Sequence, residues 1–125
     1  MQRQAVNCPE LSPPVGPFSH LVHAGAALYL SGQVAQDPTT GKLIEGDVTS
    51  QTTRIFANIE AVLKTVDRDL SHIVKVTVFL TDMADFAEMN AVYARHFEES
   101  YPARTTVAVK ALPLGARVEV ECVAH

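Results

Sequence analysis

Basic clusters are missing from this sequence. Its 10 Lys and Arg residues are outnumbered by 14 Asp and Glu residues, the formal net charge is −4, and no block of five residues is basic. Proteins that bind nucleic acids place clustered Lys and Arg against the phosphates. The charge pattern therefore argues against nucleic acid as a main partner, although it leaves room for a local positive pocket.

Long apolar runs are missing as well. No run approaches the ~18 residues that a membrane span needs. The first residues, MQRQAVNCPELSPP, lack the apolar centre of a signal peptide. We therefore expect a cytoplasmic protein without a membrane partner.

Cysteine is scarce, since Cys8 and Cys122 are the only two in the chain. Two cysteines fit a reducing compartment better than a disulfide framework. Cys122 alternates with Val118 and Val120, which predicts a small, buried core residue. Cys8 lies in a proline-rich lead-in, where we expect that its thiol could be exposed.

The five histidines form no metal-binding motif, because neither HxH nor HExxH spacing occurs. His20 and His23 lie three apart on a predicted strand and should point to opposite faces. The sequence also lacks a nucleophile elbow and a phosphate-binding glycine loop. We therefore expect no metal and no cofactor.

The length of 125 residues predicts one domain, residues 1–125, that is large enough to bury a core. Residues 7–17 contain four prolines and a glycine, which excludes regular structure there. Two β-rich runs flank Ala24-Gly25-Ala26 and predict a hairpin. Its second strand ends at Ser31-Gly32-Gln33, where a glycine lets a ligand approach the backbone closely.

Apolar residues recur at helical spacing from about Val48 to Val66, and Asp47 or Thr49 is the candidate cap of this helix. The run from Ile73 to Leu80 is dense in β-branched residues, which predicts a strand. Side chains alternate along a strand. We therefore expect its even-numbered residues, which include Val74, on one face and its odd-numbered residues on the other.

A second helix should follow Asp82 or Asp85 and end before Pro102, since the residue before a proline avoids helical angles. Two further strands follow it. The predicted order is β-β-α-β-α-β-β, with room for an additional N-terminal strand from Gln2 to Val6. Right-handed crossovers in such an α/β fold place both helices on the same face of one mixed sheet.

The opposite face of this sheet is predicted to be part apolar and part charged. It should present Phe79, Thr77, Lys75, Glu119 and Glu121 together. Such a face on a small domain is most easily explained as an interface between subunits. The pattern therefore predicts a homo-oligomer.

The stretch from Tyr101 to Val123 holds the first candidates for chemistry. Arg104 follows Pro102-Ala103, and a guanidinium can bind a carboxylate through two parallel hydrogen bonds. Glu119 lies on the last strand and should point away from the helices, where it could orient a water and accept its proton. From spacing alone, an ordinary surface arginine and a solvated glutamate remain the alternatives.

Several segments in this order carry a resemblance to a known family. They are Gly16-Pro17-Phe18-Ser19, Ser31-Gly32-Gln33, Asp37-Pro-x-Thr-Gly41, the run from Val74 to Asp82, Asp85-Phe86 with Asn90-x-x-Tyr93, and Pro102-Ala103-Arg104 leading to Val118-Glu119. From about Pro14 to Ala124, the chain resembles the Rid proteins (reactive intermediate deaminases, the YjgF/UK114 family).

This resemblance implies a chorismate-mutase-like fold, a homotrimer with pockets at the subunit interfaces, and hydrolysis without metal or cofactor. The implied substrates are enamines and imines such as 2-aminoacrylate and 2-iminopropanoate, which yield 2-keto acids and ammonia. The resemblance implies that Arg104 binds the substrate carboxylate and that Glu119 positions or activates the attacking water. The other implied pocket positions are Ser31, Gly32, Asn90, Thr106 and Phe18.

The chain departs from the family pattern at Phe18, where deaminase-active members commonly carry tyrosine. A phenol hydrogen bond is therefore missing, and loss of one oriented donor can cost on the order of 10²-fold in rate. His20 also stands where glutamine is common. Two alternatives stay open beside the deaminase. One is a non-enzymatic trimer that binds 2-keto acids or acts as a chaperone. The other, an endoribonuclease or translation inhibitor, is disfavoured by the negative charge.

Overall fold

The computed structural model describes residues 2–125. The first half contains β1 (Gln4–Val6), β2 (Leu21–Ala24), β3 (Ala27–Gln33) and helix α1 (Val48–Lys64). The second half contains β4 (Ile73–Leu80), α2 (Phe86–Arg95), β5 (Ala103–Ala108) and β6 (Val118–Ala124). The predicted order is confirmed, and β1 supplies the additional N-terminal strand. α1 ends two residues before the predicted boundary.

All six strands form one mixed sheet in the order β1-β2-β3-β6-β4-β5. The last strand of the chain, β6, lies between β3 and β4 and is antiparallel to both. β3 and β4 are therefore parallel to each other, and α1 is the crossover between them. β4 and β5 pair in parallel, and α2 is the connection between them. β5 forms an edge of the sheet. The fold is thus the predicted α/β arrangement.

Both helices pack on the same face of the sheet. The ring of Phe56 on α1 meets the ring of Tyr93 on α2 edge to face, with centroids 5.7 Å apart. α1 begins at the Asp47 cap, whose Oδ1 accepts a hydrogen bond from the Ser50 amide at 2.9 Å. Asp47 rather than Thr49 is therefore the cap, and the helix-covered face holds the core.

Cys8 is not exposed, contrary to our expectation for the lead-in. It is 3% exposed and packs in the core, and its Sγ lies 3.5 Å from the carbonyl oxygen of Ala61 on α1. The irregular segment is folded onto α1 rather than projecting into solvent. Cys122 is buried as predicted, and burial raises the pKa of its thiol to about 12.

A β-bulge corrects one predicted face assignment on β4. Ile73 and Lys75 pair with the consecutive residues Ala124 and Val123 of β6, so Val74 is the extra residue. The bulge reverses the alternation at this end of the strand. Val74 is 46% exposed and Ile73 is buried, the opposite of what strict alternation predicts.

The second face of the sheet carries the predicted mixture of side chains. Phe79 lies opposite Glu119, and Thr77 lies opposite Glu121. Tyr29 on β3 adds a large ring that is 51% exposed. We call this surface the open face, because neither helix covers it. Its role as an interface between subunits stays a prediction.

Within residues 2–125, no helix combines the length and the apolar character needed to cross a membrane.

Candidate functional site

Arg104 lies on the edge strand β5, on the same side of the sheet as the helices. Its register partner is Val76, which is buried beneath the helices. The guanidinium carbon lies 4.6 Å from the ring centroid of Tyr93 and 5.6 Å from that of Phe86. No side chain among residues 2–125 forms an ion pair or hydrogen bond with the guanidinium. Its donors are therefore available to a ligand.

A cavity of about 440 Å³ opens beside this guanidinium. Its lining residues are Asn90, Tyr93, Ala94, Tyr101, Pro102 and Arg104. Of the candidates from the sequence, the fold thus brings Asn90 to Arg104. Asn90 and Tyr93 are three residues apart on α2, so the helix presents both on one side.

Thr106 follows on the same face of β5, where it pairs with Val78. Its Oγ1 is buried and has no hydrogen-bond partner among the described residues, and the same holds for the hydroxyl of Tyr93. Burial raises the pKa of the Tyr93 phenol, while the positive charge of Arg104 opposes that rise. We call Arg104, Asn90, Tyr93 and Thr106 the arginine half-site.

Glu119 lies on the open face of β6, beside a second bulge in the sheet. Leu30 and Gln33 of β3 pair with Cys122 and Val120, so β3 has one residue more than β6 between the two pairs. A Cβ atom on Gly32 would lie 2.9 Å from the carboxyl carbon of Glu119. The glycine therefore makes room for this carboxylate, whereas the sequence suggested room for a ligand.

The environment of Glu119 favours its protonated form. The side chain is partly buried, and this burial raises the pKa of its carboxyl above the usual range. The nearby Glu121 carboxylate raises that pKa further. A carboxylate that is short of solvent and hydrogen-bond donors is a better proton acceptor than an exposed one. The raised pKa therefore makes the ionised carboxylate of Glu119 a stronger proton acceptor than an exposed glutamate.

Ser31 uses its hydroxyl within the chain. Its Oγ donates to the carbonyl oxygen of Ser19 at 2.6 Å, and its amide donates to the carbonyl oxygen of His20 at 3.1 Å. These bonds hold the segment that carries Phe18 against the end of β3. Phe18 itself is 46% exposed. We call Glu119, Gly32, Ser31 and Phe18 the glutamate half-site.

The two half-sites lie on opposite sides of the sheet in one chain. Arg104 shares a face with buried Val76, whereas Glu119 shares a face with Phe79. β4 separates their strands, and neighbouring strands are about 4.8 Å apart. A three-carbon acid held by Arg104 therefore does not reach Glu119 of the same chain. Within one chain, the two groups therefore belong to separate surfaces.

Sequence reasoning missed the aromatic part of the arginine half-site. Phe86 and Tyr93 occur in the segments that carry the family resemblance, but neither was among the predicted site residues. Nothing in the spacing of α2 shows that this side lies over a strand carrying an arginine. The sequence did contain one indication, the i, i+3 spacing of Asn90 and Tyr93. This spacing places both residues on one side of α2, facing the same part of the sheet.

None of the candidate residues lines a larger cavity of about 880 Å³, although Pro102 lines both this cavity and the one beside Arg104. The larger cavity runs between α1 and the segment after α2, and its lining includes Glu60, Lys64, His96 and Phe97. Cavity volume alone therefore does not identify the candidate site. The guanidinium of Arg104, which has no ion-pair or hydrogen-bond partner among the described residues, identifies it better. In the part of the chain that is described, no three His, Cys, Asp or Glu side chains are arranged to hold a metal ion.

Comparisons with known proteins show what this chain is similar to. Residues 9–125 match the family model described as endoribonuclease L-PSP. The chain is 44% identical over 126 residues to protein DfrA of Myxococcus xanthus, covering 99% of this chain and 96% of that protein. It is 38% identical over 122 residues to a 2-iminobutanoate/2-iminopropanoate deaminase of Bos taurus, covering 98% of this chain and 89% of that protein.

A solved structure shares the fold. The crystal structure of E. coli TdcF with bound serine matches with a TM-score of 0.90 and 32% sequence identity. The match covers 97% of each chain. That protein binds a small amino acid, a molecule with one carboxylate.

Proposed function

Because this chain belongs to the endoribonuclease L-PSP family, which includes the RutC and Rid proteins, we propose that it is an imine deaminase. Its substrates are reactive enamines and imines of small 2-amino acids, of the 2-aminoacrylate and 2-iminopropanoate type. Water converts these compounds to 2-keto acids and ammonia. The relatives named as deaminases support this reaction class.

The unpaired guanidinium of Arg104 is the observation that carries the proposal. A guanidinium at the wall of a cavity, without a carboxylate partner in the described chain, is suited to a planar carboxylate that binds through two hydrogen bonds. Every substrate of the proposed class has such a carboxylate beside the imine carbon. Asn90 adds an amide that can bind a second polar group of the ligand.

The separation of the half-sites supports a site shared between two chains. The arginine half-site lies at an edge of the sheet, and the glutamate half-site lies on the open face. If the edge of one chain packs against the open face of the next, the interface is heterologous, and a three-fold rotation between neighbouring chains closes it into a ring of three. A homotrimer of this kind contains three equivalent sites. Each takes Arg104 from one chain and Glu119 from its neighbour.

The chemistry then needs only side chains and water. Arg104 fixes the carboxylate, which places the imine carbon against the glutamate half-site. Glu119 accepts a proton from a water as the water oxygen bonds to this carbon, and the protonated Glu119 passes that proton to the imine nitrogen. In the resulting carbinolamine the hydroxyl proton passes to the amino nitrogen through Glu119, the C–N bond breaks, and ammonia leaves as the carbonyl forms. One imine and one water thus give one 2-keto acid and one ammonia.

Ammonia release from 2-iminopropanoate, generated in situ by an amino-acid oxidase, tests the reaction. Arg104→Ala should lower kcat/KM by about 10- to 100-fold or more, since a charge-assisted pair is lost. Arg95→Ala is the matched control, because Arg95 ends α2 and is exposed. Unchanged activity of the Arg104→Ala protein would remove the assigned role.

Mixed oligomers test the shared site. Arg104→Ala and Glu119→Gln chains, each with strongly reduced activity alone, are unfolded, mixed in equal amounts and refolded together. If each site uses two neighbouring chains, one site in four receives both wild-type groups by chance, and about a quarter of the activity returns. Equal mixtures that stay inactive would contradict the shared site, provided that a wild-type control regains activity.

One observation favours a second candidate, a trimer that binds 2-keto acids without turnover. Phe18 has no hydroxyl, so the glutamate half-site lacks the oriented donor that a tyrosine would supply. Binding of a 2-keto acid that depends on Arg104, without ammonia release from any imine, would favour this function. Phe18→Tyr should then create or raise turnover. A ribonuclease has no comparable support, given the net charge of −4.

A further inference from the structure

The guanidinium of Arg104 rests on aromatic faces. Tyr93 lies 4.6 Å from the guanidinium carbon, and Phe86 lies 5.6 Å away on the same helix. Both distances fall within the range of a cation–π contact, which is about 6 Å from the ring centroid. Such contact uses the ring faces and leaves the guanidinium N–H groups free. This arrangement explains how a long side chain is held without an ion-pair partner among residues 2–125.

Tyr93 is itself fixed by its neighbours. It is 4% exposed, and its ring centroid lies 5.7 Å from that of Phe56 and 4.8 Å from that of Phe97. These rings come from α1 and from the segment after α2, so two elements of the core hold the Tyr93 ring. A rigid platform of this kind limits the rotamers that Arg104 can adopt. It therefore reduces the ordering cost of carboxylate binding.

We propose that Tyr93 is a positioning residue, which holds the Arg104 guanidinium on its ring face with its donors directed at the substrate carboxylate. This inference rests on the proposed function, because it concerns the affinity of that site. The ring supplies the effect and the hydroxyl does not, since the contact is with the ring face. Phe86 contributes in the same way, at a longer distance.

Three variants separate positioning from a general role in folding. Tyr93→Phe keeps the ring, and Tyr93→Leu removes it. Leu21→Val disturbs the buried core at β2, and three strands (β3, β6 and β4) lie between β2 and the strand β5 that carries Arg104. Each variant is measured for thermal stability, for the Kd of 2-oxobutanoate by calorimetry, and for kcat and KM in the deaminase assay.

Tyr93→Leu should weaken 2-oxobutanoate binding and raise KM by about tenfold, with a smaller change in kcat, since a partly desolvated cation–π contact is lost. Tyr93→Phe and Leu21→Val should stay within about twofold of wild-type affinity, although Leu21→Val loses thermal stability. Wild-type affinity in Tyr93→Leu would overturn the proposal. A Tyr93→Phe protein that binds as weakly as Tyr93→Leu would do the same. If Tyr93→Leu does not fold, Phe86→Leu should show a smaller loss in the same direction, and an unchanged Kd would count against the inference.

The side-chain protons of Arg104 give a readout that does not depend on substrate. Ring currents should shift their NMR signals upfield in the wild-type and Tyr93→Phe proteins, and Tyr93→Leu should lose most of this shift. Unshifted signals in the wild type would overturn the positioning role. Shifted signals with no 2-oxobutanoate binding by the wild type would instead contradict the proposed function and leave the contact in place.

Discussion

Gly32→Ala should separate activity from stability at the glutamate half-site. A Cβ atom at this position would lie 2.9 Å from the carboxyl carbon of Glu119, and 3.2 Å from its Cγ and Oε1. Carbon atoms in contact are normally about 3.5–4.0 Å apart. The carboxylate must therefore move by about 0.6–1 Å to accept the methyl group.

The magnitude follows from which atoms move. The clashing atoms belong to the free end of a flexible glutamate side chain, so the structure yields there without moving the backbone. Gly32 has no left-handed backbone conformation that alanine would resist. Alanine also lowers the entropy of the unfolded chain, a gain of about 0.4–1 kcal/mol. We therefore expect a change in unfolding free energy within about 1 kcal/mol. A misplacement of 1 Å at a catalytic group can cost on the order of 10²-fold in rate.

The assay compares kcat for imine hydrolysis with the urea midpoint of unfolding, and repeats Gly32→Ala in a Glu119→Ala background. In that background the added methyl group meets no carboxylate, so it should have little further effect on rate. A Gly32→Ala protein with wild-type kcat would refute the claim that the position of this carboxylate controls the reaction. A loss of several kcal/mol in stability would refute the claim that the clash is relieved locally.

Other residues give tests of charge and burial. Burial and the nearby Glu121 raise the pKa of Glu119, and the proposed reaction needs the ionised carboxylate, so activity should fall at acid pH. Glu121→Gln removes one of the two causes and should move the acid limb of the pH–rate profile to lower pH. The pKa of His20 is lowered by burial from 6.5, so the unfolded state binds its proton more readily. The contribution of neutral His20 to stability should be fully present above pH 6.5 and should be lost as the pH falls from 6.5 through the lowered pKa. The urea midpoint of His20→Gln should therefore change less than that of the wild type between about pH 7 and about pH 5. Cys8 and Cys122 are both buried. A thiol reagent should therefore react slowly with the native protein, and it should react quickly with both thiols once urea has unfolded the chain. Rapid reaction with the native protein would contradict the described core.

The elements that the sequence predicted are those with strong local patterns. α1 has an apolar stripe and an Asp47 cap, and β4 has a run of β-branched residues. Each pattern is complete within a short segment, so no distant contact is needed to read it. The bulge at Val74 and the burial of Cys8 were not predictable in this way. The first depends on the register of β4 against β6, and the second on docking of the lead-in onto α1.

The candidate site was only partly predictable for the same reason. Strand alternation places Glu119 away from the helices, because it is flanked by Val118 and Val120, which are apolar and buried. β5 gives no such signal, since apolar and polar side chains do not alternate along it. The face on which Arg104 lies is set by its parallel register with β4, where it pairs with Val76. That register joins two strands on either side of α2, so it is not encoded within β5 alone.

The opposite orientation of Arg104 and Glu119 changes how the stretch from β5 to β6 should be understood. In the sequence the two residues frame one motif, yet the sheet directs them to different surfaces. Under the proposed mechanism, a single chain therefore has its carboxylate-binding group on one surface and its base on another. If the proposed ring forms, assembly creates the reaction centre as well as covering the open face. The apolar side chains of that face, Tyr29 and Phe79 among them, would then provide the free energy of association. Loss of the interface would accordingly remove turnover while leaving the Arg104 cavity, and its affinity for a small acid, largely in place.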